Sequence, residues 1–235
     1  LAQRGGRFSL GALVVPSRRP AVLHPAKAHL VIRMGAAMLS GGCLALVAPP
    51  ANLWWLHWFS WVPLLWALYP GTVKSNFKLG YLAGWFGMCS IFFWIIETVV
   101  RFSNLGTILS IVTLGLFASA FGLYYAVTWG SAMWFRRQFG AAWVFITPAV
   151  HVAMENLSPA LFPYYEGVTQ YRVPAMFQLA SVTGSMGLTY LLYWSNCVLA
   201  EGIFRRLEGR AQAWRLYGVL AAVVLLNVSW GHWRH

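Results

Sequence analysis

The sequence predicts an all-α membrane protein, a bundle of about seven transmembrane helices with its N-terminus cytoplasmic and its C-terminus outside. Three observations predict it. Seven long apolar segments run through the chain, at residues 30–48, 52–69, 79–99, 105–134, 142–156, 175–204 and 213–231. Hydrophobic residues make up 59% of the 235 residues and charged residues only 9%, too little polar surface for a water-soluble domain of this size. The 17 Lys and Arg also fall very unequally on alternate connections between the segments.

Fourteen of those cations share one face. The N-terminal arm carries Arg4, Arg7, Arg18, Arg19, Lys27 and Arg33, and the second connection Lys74 and Lys78. The fourth carries Arg136 and Arg137, and the sixth Arg205, Arg206, Arg210 and Arg215. The opposite face holds only Arg101, Arg172 and Arg234. Basic residues flanking spans stay cytoplasmic, which sets the expected orientation. The net charge of +12 could suit nucleic acid, but the cations sit in short loops beside spans with no reader motif. Anionic lipid headgroups are the expected contact, and no nucleic-acid partner is expected.

In chain order, residues 1–33 form a basic arm rich in Gly, Pro and Arg, expected to be disordered. Its one apolar run, Leu10 to Val15, is too short for a secretory signal. Residues 34–231 are the expected transmembrane domain, and 232–235 the start of a linker. Leu1 in place of Met, Met34 as a natural start, and a last span that ends five residues before His235 are expected of a piece of a longer reading frame. A crossing needs about 20 apolar residues for about 30 Å of hydrocarbon. Most segments meet that; 142–156 is short, and 105–134 is long enough to tilt or protrude. Trp54, Trp55, Trp58, Trp134, Trp143, Trp230 and Trp233 fall near span ends and read as an aromatic belt. Cys43, Cys89 and Cys197 each lie inside an apolar segment without a ligand-spaced partner, so neither a disulfide framework, a metal site nor a cofactor is expected.

Acids are scarce: there is no Asp and there are five Glu. Glu201 and Glu208 stand beside Arg205 and Arg206, where ordinary helix pairing accounts for them. Glu97, Glu155 and Glu166 are expected on the outer face. Glu97 precedes Arg101 by one turn, which reads either as an interfacial i,i+4 pair or, with the other two acids, as part of a site. The stretch Asn156–Pro174, with Pro159, Pro163 and Pro174 and the rings of Phe162, Tyr164 and Tyr165, is expected as a folded cap on the outer surface, with a structural re-entrant loop as the competing reading. His151 lies one turn before Glu155, where it is either a packed polar residue or a proton shuttle. No G-x-S-x-G, H-E-x-x-H, P-loop or paired-Cys motif is present. Gly80, Gly84 and Gly87, and Gly184 with Gly187, have the spacing that lets helices approach closely.

The stretch Pro148 to Glu155, then Phe162-Pro163-Tyr164-Tyr165-Glu166-Gly167-Val168-Thr169-Gln170, then Gln178-Leu179-Ala180 and Thr183-Gly184, resembles the membrane half of bacterial apolipoprotein N-acyltransferases. Trp58-Phe59, Val62-Pro63-Leu64-Leu65, Gly80, Gly84, Phe86-Gly87 and Trp94 follow the same order, so the resemblance covers about residues 35–231. Ser158 stands where the family commonly has Arg, and Tyr164 where it has Trp. The resemblance implies an inner-membrane, multi-pass domain of an enzyme that takes an acyl chain from a phospholipid onto a Cys. The enzyme then passes that chain to the N-terminal diacylglyceryl-cysteine of an apolipoprotein. It places the chemistry in a periplasmic nitrilase-like domain with a Glu, Lys and Cys triad, which lies outside this chain. No catalytic residue is therefore expected here, and the chain alone is expected to be inactive. Trp94, Glu97, Arg101, Glu155, Phe162, Pro163, Tyr164, Tyr165, Glu166 and Gln170 are the expected substrate-binding rim, touching headgroups and the absent domain. A noncatalytic membrane subunit or a transporter remains the alternative.

Overall fold

The computed structural model describes residues 25, 28–103, 106–157 and 164–234. Among them every regular element is helical: α1 Leu30–Val47, α2 Val62–Leu68, α3 Val73–Ile91, α4 Trp94–Ser103, α5 Thr107–Phe139, α6 Trp143–Leu157, α7 Pro174–Phe177, α8 Ala180–Leu207 and α9 Trp214–Arg234. Short 3-10 turns at Trp54–Trp58 and Glu166–Gln170 complete it. The helices stand where the apolar segments place them, but the crossings are less plain than seven. Three continuous helical runs are long and apolar enough to cross a membrane: α1, the α5–α6 run and α9. The pair α3–α4, bent by 58° at Phe92, makes a fourth if it counts as one span. The physical reasons are local. Helix α2 has 7 residues, about 10 Å of rise. Helix α8 has 28 residues, but the inward-facing Thr189, Ser195, Asn196 and Glu201 lower its hydropathy.

Helix α3 lies between α1 and α5, and its glycines set the spacing. A Cβ at Gly84 would stand 2.4 Å from the Tyr125 ring, and one at Gly87 would stand 3.0 Å from the Gly41 carbonyl. Glycine costs about 1 kcal/mol against alanine inside a helix; here it permits the backbone contact that bundles in lipid rely on. At the centre, Trp61, which precedes α2, meets Trp129 of α5 at 5.2 Å between ring centroids, and Trp129 stacks on Tyr193 of α8 at 5.0 Å. Asn196 of α8 ties the 3-10 turn to this core. Its Oδ1 accepts the Trp61 N–H at 2.8 Å, and its Nδ2 donates to the His57 carbonyl at 2.9 Å.

At the basic end, Arg136 of α5 joins Glu201 of α8 and Glu208 just after it. Its Nε donates to Glu201 at 2.8 Å, and its Nη atoms grip Glu208 at 2.7 and 3.1 Å. Glu201 also takes Arg205 at 2.8 Å, the expected i,i+4 pair, and Trp143 Nε1 at 2.9 Å. Trp143 is thus fully buried as a hydrogen-bond donor, a departure from its expected place in the aromatic belt. The Arg136 guanidinium, with Arg210 and the Tyr69 hydroxyl, holds the Glu208 carboxyl down at about 2.

Candidate functional site

Four segments deliver side chains to one buried carboxylate, that of Glu166, which is 0% exposed. The described part of the loop before α7, from Tyr164 on, does not lie over the bundle as a surface cap. Its 3-10 turn sinks between α5, α6 and α8, so that Glu166, Gly167, Thr169 and Gln170 are buried and meet Tyr125 and Tyr193 near the middle of their helices. Non-helical backbone at such depth survives only when its polar groups find protein partners. The Glu166 N–H donates to Glu155 Oε1 at 2.8 Å, and the Gly167 N–H to Thr189 Oγ1 at 2.9 Å. Gln170 Nε2 reaches the Trp54 carbonyl at 3.1 Å, while Trp58 Nε1 donates to Gln170 Oε1 at 3.2 Å. Gly167 is required here because a Cβ would stand 2.2 Å from the Ser185 carbonyl.

The two oxygens of Glu166 have different neighbours. Oε1 accepts from the hydroxyls of Tyr125, Tyr193 at 2.8 Å and Tyr124 at 3.3 Å. Oε2 lies 2.8 Å from His57 Nε2. An oxygen taking three hydroxyl donors is in the state of an ionised carboxylate, which has no proton to offer. The Thr169 hydroxyl donates to the Glu166 carbonyl at 2.7 Å, and the same oxygen lies 3.1 Å from His57 Nδ1. His57 thus bridges the Thr169 hydroxyl and the Glu166 carboxylate through its two ring nitrogens.

His151 lies against the same carboxylate rather than against Glu155. Its Nε2 is 3.3 Å from Glu166 Oε1 but off the angle of a hydrogen bond, and its ring stacks on Tyr193 at 3.5 Å. Glu155 Oε2, the Tyr164 hydroxyl and His151 Nε2 are buried without a hydrogen-bond partner. No cysteine belongs to the cluster: Cys197 is buried in the hydrophobic core, and Cys43 and Cys89 are half-buried on α1 and α3. Among the described residues no group of three His, Cys, Asp or Glu is disposed to hold a metal ion.

The expected rim residues divide. Glu155, Glu166 and Gln170 come together in the interior, with Tyr164 and Tyr165 half-buried beside them. Phe162 and Pro163 lie outside the described residues. Trp94, Glu97 and Arg101 form a second group on α4, where they line a cleft of about 520 Å³ with Phe93 and Thr107. Glu97 and Arg101 pair there with side chains 67% and 70% exposed, and Glu97 does not join the other two acids. The sequence singles out neither His57, which is embedded in an aromatic run, nor Tyr124, Tyr125 and Tyr193, which read as span interior. Apolar neighbours hide them, and only the fold shows that they converge.

A helical membrane bundle that buries a polar loop around a hydrogen-bonded carboxylate, with a cleft on its flank, defines the class: a membrane domain that positions a loop. Residues 40–198 match the apolipoprotein N-acyltransferase N-terminal domain, and the chain belongs to that family. It is 33% identical over 200 residues to an apolipoprotein N-acyltransferase of Geobacter metallireducens, covering 82% of this chain and 38% of that protein. One from Bdellovibrio bacteriovorus is 27% identical over 209 residues, covering 84% of this chain and 37% of the relative. The chain thus spans well under half the length of these curated relatives.

Proposed function

We propose that this chain is the membrane domain of an enzyme that moves an acyl chain from a phospholipid to the N-terminal diacylglyceryl-cysteine of lipoproteins in the bacterial inner membrane. The carrying observation is the family match over residues 40–198. In this reading the chain crosses the membrane seven times, with the basic arm cytoplasmic and the C-terminus periplasmic, where a nitrilase-like domain would carry the covalent chemistry. The charge map supports that orientation, because fourteen of the 17 cations lie in alternate connections.

The chain's own residues have two roles. The Glu166–His57 pair, the three tyrosines and Glu155 hold the loop in the bundle, so that Tyr164 and Tyr165 offer a surface to the catalytic domain. Trp94, Glu97 and Arg101 offer an indole and a balanced charge pair at the mouth of a lateral cleft, which suits a zwitterionic phospholipid headgroup arriving sideways from the bilayer.

The test is complementation. The chain, alone or continued through the reading frame that follows His235, is expressed in bacteria depleted of their own apolipoprotein N-acyltransferase, and lipoprotein N-termini are weighed by mass spectrometry. The expected result is N-acylated lipoprotein with the continued frame and none with the chain alone. Absence of N-acylation in both, with the protein present in the membrane, would favour a noncatalytic subunit.

A further inference from the structure

Helix α9 is fastened to the bundle at its two ends and stands off between them. Toward its C-terminus, Gly231 closes on α7, where a Cβ would stand 1.9 Å from the Ala175 carbonyl, and Asn227 Nδ2 donates to the Met176 carbonyl at 3.2 Å. Toward its N-terminus, Tyr217 tucks against Gly202 of α8, where a Cβ would stand 1.5 Å from the Tyr217 hydroxyl oxygen. Only 11% of its apolar window is buried.

Two chambers open along this seam, and Tyr217 lines both. The one at the basic end, about 620 Å³, has Arg206, Gln212 and Trp214 in its walls. The other, about 440 Å³, is walled almost wholly by apolar side chains, among them Leu220, Val224 and Val228 on α9, facing Trp58 and Met176. From Tyr217 to Val228 the helix rises about 16 Å at 1.5 Å per residue, the depth of one leaflet of a hydrocarbon core about 30 Å thick.

Charge at the head of the seam is unbalanced. Glu201 and Glu208 are engaged by Arg136, Arg205 and Arg210. Arg206 and the neighbouring Arg215 are exposed, and among the described residues neither has an acid within ion-pair distance. A cation and an amide at the membrane surface, a Trp beside them and an apolar slot one leaflet deep match one molecule with an anionic head and an acyl tail.

We infer that the seam between α9 and α8 is a binding site for one anionic phospholipid of the leaflet at the basic end, its phosphate on Arg206 and Gln212 and one acyl chain along Leu220, Val224 and Val228. The site lies apart from the α4 cleft and needs only that the basic end meets a bilayer surface. The bound lipid would cover the inner face of α9 and brace it against α8.

The chain is purified in detergent, stripped of lipid, and titrated with phosphatidylglycerol or phosphatidylcholine, with bound lipid counted by native mass spectrometry. The expected result is a single phosphatidylglycerol, preferred about fivefold over phosphatidylcholine. Arg206→Gln should abolish the preference, Arg206→Lys should keep most of it, and Val224→Trp, which fills the slot, should expel both lipids. Equal retention of the two lipids by the wild type, an undiminished preference in Arg206→Gln, or lipid still held by Val224→Trp would each overturn the site. So would a lipid-free dimer joined through α9. Should Arg206→Gln fail to fold, Arg206→Lys and Val224→Trp decide the matter.

Discussion

His57 Nε2 and Glu166 Oε2 stand 2.8 Å apart with both side chains fully buried, though 109 residues separate them in the chain. Two polar groups in such a place satisfy each other only while both remain. Removing either one strands the other in the interior, at a cost of about 3–5 kcal/mol. His57→Ala and Glu166→Ala are therefore each expected to lower the melting temperature of the detergent-solubilised chain strongly, and the double variant by less than the sum of the two. Additive losses in a double-mutant cycle would show that the pair does not couple.

That pair marks the boundary of what the residues disclose by themselves. The helices follow from apolar runs, and close packing at Gly84 and Gly87 follows from small-residue spacing, because both are local patterns. Glu166 is legible as an unusual acid in a proline-punctuated loop, but its depth is not, since burial depends on partners supplied by α2's approach, α5, α6 and α8. His57 lies in the run Trp54–Trp58, which reads as an interfacial belt; the Asn196 side chain that draws this turn inward is 135 residues from Trp61. Crossing number is less legible: α8 turns Thr189, Ser195, Asn196 and Glu201 inward, and it is not among the helices apolar enough to count as a crossing.

The loop's depth rests on a glycine. A Cβ at Gly167 would meet the Ser185 carbonyl at 2.2 Å and the Thr189 nitrogen at 2.8 Å, both backbone atoms that cannot swing aside. Gly167→Ala should destabilise by about 1–3 kcal/mol, the usual cost of overpacking. Gly218→Ala is the control, because nothing lies within 4 Å of its added methyl. Helix propensity there favours alanine by about 0.5–1 kcal/mol. Opposite signs for the two substitutions in thermal unfolding are the expected outcome, and equal effects would argue against the close approach.

At the basic end the sign of the pH dependence follows from Glu208. Its carboxyl is held at about 2 in the folded chain, below the ordinary 4.5, because Arg136, Arg210 and the Tyr69 hydroxyl favour the ionised form. The stabilisation is fully present above the ordinary value and disappears as pH falls from 4.5 toward 2. The melting-temperature gap between wild type and Glu208→Gln should be level above about pH 5 and close as the pH drops through that window. A gap that stays constant down to pH 2 would mean that the carboxylate charge contributes nothing to the clamp.

Glu97 and Arg101 should behave in the opposite way to Glu166 and His57. They are exposed by 67% and 70% at the α4 cleft, so their i,i+4 pairing is worth only about 0.3–0.5 kcal/mol. Replacing both with Gln should leave the melting temperature nearly unchanged. If, as proposed, the cleft receives a phospholipid headgroup, the same double variant in the proposed acyltransferase should raise KM for the lipid donor by about five- to tenfold. Its kcat should hold, because the contact is made equally in ground and transition states. A fall in kcat with KM unchanged would instead assign the pair to contact with the proposed catalytic domain, and wild-type kinetics would remove the α4 cleft from the path of the lipid altogether.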